Sequence, residues 1–252
     1  MEIIKSSSNN IVKLIRSLHT KKGRDKACAF LVEGAKFVAE INRNWEVLHT
    51  VASESFAKEN VLDNAIVVSD VIFEGFSDVS APQGILAVVK QQNACINSML
   101  TKKNPLIFVL EEINDPGNLG TILRTCHGLG IDGIILSQNC VDVYSPKVVR
   151  ASAGSVFHIP HIKMCITQAI TELKSAEIPL YATQPKASLS LQELDLCEPA
   201  AFLLGNEHNG LKPETVKLAQ ASISIPSVAE SLNVSICAAI LAYEASRQRI
   251  LR

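Results

Sequence analysis

The sequence holds no Cys-x-x-Cys pair, no His-Glu-x-x-His pattern, no apolar run near the ~20 residues of a membrane span, and no excess of either charge. Each absence excludes something. The seven cysteines, Cys28, Cys95, Cys126, Cys140, Cys165, Cys197 and Cys237, are odd in number and scattered. That fits neither a disulfide scaffold nor a structural zinc site, so they read as small buried hydrophobes in a reducing compartment. The six histidines show no metal-ligand spacing either, and no metal is expected. The opening Met-Glu-Ile-Ile-Lys-Ser-Ser-Ser has no apolar signal core, which points to the cytoplasm and away from a membrane partner. With 24 Lys+Arg against 25 Asp+Glu, bulk electrostatic attraction cannot be the whole basis of nucleic-acid binding.

What is present is a globular composition, 47% apolar over 252 residues, enough for one large domain or two small ones. Charge is uneven along the chain. Residues 1–26 carry seven basic residues (Lys5, Lys13, Arg16, Lys21, Lys22, Arg24, Lys26) and two acidic ones, a net +5 on a remainder of −6. Such an arm either contacts phosphates or is a solvated helix face followed by a charged loop.

Short strand and helix patterns alternate over residues 1–92, with strands at 29–32, 45–51, 65–68 and 84–89 and a Ser-capped helix over 53–60. Residues 93–104 are polar and irregular and read as a linker. A second alternation fills 105–252. Strands are expected at 106–110, 133–136, 156–159, 179–183, 201–204 and 222–225, with helices over 119–128, 165–176, 213–219 and 233–249 and another opened by Ser145-Pro146. Alternation of this kind predicts an α/β fold with a parallel sheet, whose ligands gather outside the carboxyl ends of its strands.

Three loops follow buried strands there. Asp115-Pro116-Gly117-Asn118-Leu119-Gly120 leads into a helix bearing Arg124; it is neither a P-loop nor a Gly-x-Gly-x-x-Gly turn. Leu204-Gly205-Asn206-Glu207-His208-Asn209-Gly210-Leu211 leaves the strand at 201–204. Ile225-Pro226 is followed by Glu230-Ser231-Leu232-Asn233-Val234-Ser235 before a long helix. Each alone is compatible with ordinary turns, a capping Asn or Ser, a surface Arg and a solvated loop His.

Together and in this order, the three segments resemble motifs 1, 2 and 3 of the SpoU/TrmH family of SPOUT-class RNA ribose 2′-O-methyltransferases. The resemblance covers roughly residues 105–249, including Ser145–Ser155. The N-terminal unit, with Phe30-Leu31-Val32-Glu33-Gly34, is similar to the ribosomal-protein-like substrate-binding domain that precedes many of these catalytic domains. The resemblance implies a deep trefoil knot in the C-terminal domain, S-adenosylmethionine as cofactor, and a homodimer with a shared active site. The reaction implied is methyl transfer to an RNA ribose 2′-hydroxyl, which DNA lacks. Ribosomal RNA is the expected substrate, with transfer RNA, or a non-catalytic RNA-binding role on the same fold, as alternatives. By motif position, Asn118, Arg124, Glu207, Ser231 and Asn233 are the catalytic set; Thr183, Leu204, Gly205, Ile225 and Leu232 hold the cofactor. Lys13, Arg16, Lys21, Lys22 and Arg24 become candidate RNA contacts, with Arg150 adding to them near the site.

Overall fold

The computed structural model describes residues 3–250. The chain begins with β1 (Ile3–Ile4), α1 (Asn10–Leu18), α2 (Lys21–Ala27), β2 (Ala29–Glu33), α3 (Ala35–Ala39), β3 (Val47–Ser53), α4 (Glu54–Glu59), β4 (Ile66–Val68), α5 (Asp70–Glu74) and β5 (Ile85–Lys90). The strands form a five-stranded mixed sheet in the order β1-β4-β3-β5-β2. Asn9 caps α1 by accepting from the Ile11 N–H at 2.9 Å, and Ile11, Val12, Ile15 and Leu18 form its buried face. They pack with Leu31, Val51, Phe73, Leu86 and Val88 into one core. Residues 21–26 are helical rather than a charged loop, because Thr20 caps the Gly23 N–H. Gly23 is required there: a Cβ would lie 2.0 Å from the Ser17 carbonyl oxygen.

The rest of the chain runs through α6 (Ile96–Leu100), β6 (Leu106–Leu110), α7 (Pro116–Gly128), β7 (Gly133–Leu136), α8 (Pro146–Ala151), β8 (His161–Lys163), α9 (Ile166–Ser175), β9 (Leu180–Thr183), β10 (Leu189–Ser190), β11 (Ala200–Leu204), α10 (Pro213–Val216), β12 (Ala221–Ser224) and α11 (Val234–Ile250). Seven strands form an all-parallel sheet, β10-β12-β9-β11-β6-β7-β8. The central β6 and β11 are buried at every position, which is why they read as continuous apolar runs. The strand expected at 156–159 is displaced. Ser155–Phe157 is a 3-10 turn, and pairing starts only after Pro160, which offers its carbonyl to the Ile134 N–H (2.9 Å) but has no N–H to donate.

The contacts divide the chain into two compact units, and a segment of the second alternation falls in the first of them, which the sequence pattern did not show. One is the chain up to Gln92 together with Asp142–Phe157; the other is Asn93–Val141 with His158 onward. The expected linker 93–104 therefore belongs to the second unit. Its Met99 on α6 is fully buried against Gly133, where a Cβ would come within 2.5 Å of the Met99 sulfur. Asp142–Phe157 belongs to the first unit for three reasons. Tyr144 packs on Phe30 (4.6 Å between centroids) and donates its hydroxyl to the Gln92 carbonyl, with burial pushing the phenol up to about 12. The Phe157 carbonyl accepts from Asn42 Nδ2 (2.8 Å) and Trp45 Nε1 (3.0 Å). Asp142 takes Arg24 Nε at 2.8 Å and Nη2 at 2.7 Å.

This last pair corrects one expectation. Arg24 is 3% exposed, and Nη1 also donates to the Leu18 carbonyl at the end of α1 (2.8 Å), so its guanidinium is a structural tie and not a surface phosphate contact. The cysteines also depart from expectation. Cys126 and Cys140 are buried, but Cys28, Cys95 and Cys165 are exposed. All three exposed thiols sit at helix ends, Cys28 ending α2 in a left-handed conformation and Cys95 and Cys165 preceding α6 and α9.

Candidate active site

Because all seven strands of the second unit are parallel, their carboxyl ends lie on one edge, and three loops meet there. One follows β6, one follows β11 beside it, and one follows β12. The loops after β11 and β12, with the one after β9, border a cleft of about 560 Å³, within the range of small-molecule sites. Thr183, Leu204, Gly205, Ile225 and Leu232 all line it, with Ile223 and Val234. The Leu204, Ile223, Ile225, Leu232 and Val234 side chains make a wall suited to a flat heteroaromatic ring, and the Asn206–Leu211 backbone and Glu207 make a polar rim. A nucleoside cofactor fits such a donor set.

The loop after β11 is a closed turn. Asn206 N–H donates to the Gly210 carbonyl (3.1 Å) and Gly210 N–H to the Asn206 carbonyl (2.9 Å), while Asn206 Oδ1 accepts from the His208 and Asn209 N–H groups. Asn206 Nδ2 donates to the Glu112 carbonyl at 2.8 Å, docking this loop on the one after β6. Buried Glu111 fixes the exit by accepting from the Lys212 N–H (2.9 Å) and the Thr215 hydroxyl (2.6 Å). Gly205 lets the two arms of the turn close, since a Cβ would sit 2.3 Å from Gly210 C and Leu211 N. Backbone atoms cannot yield as a flexible side chain does. Gly205→Ala is thus expected to weaken binding of the nucleoside cofactor by at least about tenfold, measured by titration calorimetry, and to lower the melting temperature.

At the mouth of the cleft, three expected residues form one relay. Asp115 caps α7 by accepting from the Asn118 N–H (2.7 Å), which leaves the Asn118 side chain free for other work. Asn118 Nδ2 donates to Glu207 Oε1 (3.0 Å), and Asn233 Nδ2 donates to Asn118 Oδ1 (3.1 Å). Asn233 Oδ1 in turn accepts from the Ser235 N–H (2.8 Å) and hydroxyl (2.6 Å), capping α11. Both amide orientations follow: a carboxylate at one end and helix N–H groups at the other leave each amide only one way to face. Burial disfavours the ionised Glu207 carboxyl. Donation from Asn118 and from the Asp115 (3.2 Å) and Asn114 (3.4 Å) N–H groups more than offsets it, holding the pKa below the ordinary glutamate value. The acceptor state of Glu207 is therefore kept from neutral pH well into the acid range, and is lost only as pH falls through that lowered pKa.

Not every expected residue converges. Arg124 lies six residues beyond Asn118 on α7, about 120° round the helix and about 9 Å along it. It is exposed, is not part of the cleft wall, and has no hydrogen-bond or ion-pair partner among the described residues. Ser231 lines the cleft and is exposed. Arg150 is half-buried on α8 in the first unit, where Lys13, Arg16, Lys21 and Lys22 are all exposed. Sequence reasoning missed Glu111, Thr215 and Asn206. Glu111 was legible only as a charge ending an apolar strand, and Thr215 carried no signal.

The fold and cleft define a parallel α/β enzyme that takes a nucleoside-type cofactor at the carboxyl edge of its sheet. Residues 105–243 match the SpoU rRNA methylase family, and residues 9–87 match an MRM3-like substrate-binding domain. The chain belongs to the SpoU rRNA methylase family and is an S-adenosylmethionine-dependent RNA methyltransferase. It is 30% identical over 249 residues to the Bacillus subtilis 23S rRNA (guanosine(2553)-2′-O)-methyltransferase RlmP, covering 96% of this chain and 98% of that one. Among solved structures, the AdoMet-bound rRNA methyltransferase from Sinorhizobium meliloti superposes with a TM-score of 0.86 at 31% identity, covering 98% and 97% of the two chains. The SpoU methyltransferase AviRb from Streptomyces viridochromogenes gives 0.86 at 26% identity, covering 96% and 98%.

Proposed function

We propose that the chain methylates a ribose 2′-hydroxyl of ribosomal RNA, with the target sugar held at the Asn118–Glu207–Asn233 relay. The observation that carries this reading is the relay's place: an oriented amide pair, fixed at both ends, beside a cleft of cofactor size. Bound S-adenosylmethionine supplies the electrophilic methyl group. Leu204, Ile225 and Leu232 shield its ring from water, and the Gly205 and Thr183 neighbourhood forms the floor. The relay offers donors and acceptors of fixed direction to the hydroxyl, so that oxygen and methyl carbon stay in line. Ser231 adds a hydroxyl on the same rim. Arg124 serves by positioning the ribose or its phosphate and stabilising charge as the hydroxyl loses its proton.

Within one chain Arg124 stands apart from the relay, and a homodimer supplies the reason: the arginine of one protomer completes the site of its partner. Helix α11 supports this. It is apolar on both faces, burying Ala238, Leu241, Ala242 and Ala245 while leaving Ile236 (50% exposed) and Tyr243 (60%) on an open stripe. The deep knot is supported by the path of the chain: α11 leaves the side of the sheet that holds β12 and packs on α7, which follows central β6. Among the described residues no helix is long and apolar enough to cross a membrane, and the cytoplasm, where ribosomal RNA is available, is the location that suits this substrate. The 2′-hydroxyl excludes DNA as substrate.

The decisive experiment is mapping 2′-O-methyl marks on ribosomal RNA from cells with and without the gene, together with methyl transfer by the purified protein. One lost mark, restored in vitro, is expected; an unchanged set would overturn the reading. For RNA contact by the N-terminal unit, Lys13, Arg16, Lys21 and Lys22 changed together to glutamine should reduce the slope of log affinity against log salt by roughly 3, read by filter binding across a salt series. An unchanged slope would make α1 and α2 a solvated face only.

A further inference from the structure

We propose that Glu230 recognises the α-ammonium group of S-adenosylmethionine. This rests on that molecule being the cofactor of the cleft.

Among the described residues, the cleft wall contains no lysine and no arginine, and two carboxylates, Glu207 and Glu230. The two differ in what is left for a ligand. Glu207 is already committed: Oε1 takes the Asp115 N–H and Asn118 Nδ2, and Oε2 takes the Asn114 N–H. Glu230 forms no hydrogen bond or ion pair with any described residue, although it lines the same cleft. It stands in the 226–231 segment, exposed at every position, just before the Leu232 that helps form the apolar wall.

The cofactor's chemistry divides in the same way. Its adenine is neutral and flat and belongs against Leu204, Ile223, Ile225 and Leu232. Its amino-acid end carries an ammonium whose three N–H donors need acceptors. In a cleft lined by no described lysine or arginine, the carboxylate that no protein group engages is the acceptor best placed to form a charge-assisted bond. Glu230 is thus a cofactor-recognition residue.

The test is titration calorimetry of wild-type protein and Glu230→Gln with three ligands. S-adenosylmethionine has both sulfonium and ammonium, S-adenosylhomocysteine has only the ammonium, and 5′-methylthioadenosine has neither. The expected result is that Glu230→Gln weakens the first two alike, by about tenfold, and leaves methylthioadenosine within about twofold. Equal weakening of all three would mean a disturbed cleft wall and overturn the proposal. Loss confined to S-adenosylmethionine would assign Glu230 to the sulfonium and overturn it too, as would no change for any ligand. Wild-type protein that binds none of the three would instead overturn the cofactor assignment itself.

Discussion

Replacing Arg124 by alanine is expected to lower methyl transfer to ribosomal RNA by roughly 10³-fold while changing the dissociation constant for S-adenosylmethionine by less than about twofold. The split follows from geometry. Arg124 is on the exposed side of α7 and is not among the residues lining the cleft, so removing it takes nothing from the cofactor. It removes a fixed positive charge from a reaction in which a neutral hydroxyl must shed a proton, the situation in which charge stabilisation contributes most. Single-turnover methylation measures the loss and calorimetry the retained affinity. Arg124→Lys should recover little, because a point charge on a flexible stem cannot copy a planar fork. Near-normal turnover in Arg124→Ala would remove the residue from the mechanism. A further expectation separates one chain from two: mixing Arg124→Ala with a variant inactivated at Asn118 and Glu207 should restore part of the activity if each site draws on both protomers.

The second large effect concerns stability. Asp142→Ala is expected to cost about 3–5 kcal/mol, because it strands the guanidinium of Arg24, which is 3% exposed, with only the Leu18 carbonyl for company. Arg24→Met should cost less, since a methionine fills much of the same volume and the Asp142 carboxylate it leaves is more exposed than the guanidinium and keeps the Tyr144 N–H. Urea unfolding followed by tryptophan fluorescence measures both, for Trp45 lies in the same unit and donates to the Phe157 carbonyl. If Arg24 were instead an RNA contact, Arg24→Met would leave the unfolding midpoint alone and weaken RNA binding.

Much of the second unit was legible in the sequence, for a physical reason. A parallel strand buried on both faces must be apolar throughout, so Leu106–Leu110 and Ala200–Leu204 announce themselves. Loops after such strands are where ligand groups collect, and the motifs there fall on Asn118, Glu207 and Asn233, which the fold brings within hydrogen-bond distance. The 156–159 segment misled because it is apolar and β-like, while the constraint that decided it, a proline with no N–H, lies one residue beyond. The basic arm showed that charge by itself does not distinguish surface from core. Lys21 and Lys22 are exposed and Arg24, two residues further on, is buried, because the α2 helix turns it inward toward Asp142.

The even charge balance, scattered cysteines, strand–helix alternation and three ordered motifs were set by the sequence alone, since each depends on local pattern or composition. The tertiary structure decided which residues meet. It placed Asp142–Phe157 with the first unit, gave Arg24 a partner 118 positions away, and turned the Asn118 amide toward Glu207 because Asp115 had already taken the helix cap. Such pairings depend on where distant segments pack, and the hydrogen-bond capacity of a side chain does not reveal in advance which distant partner will use it.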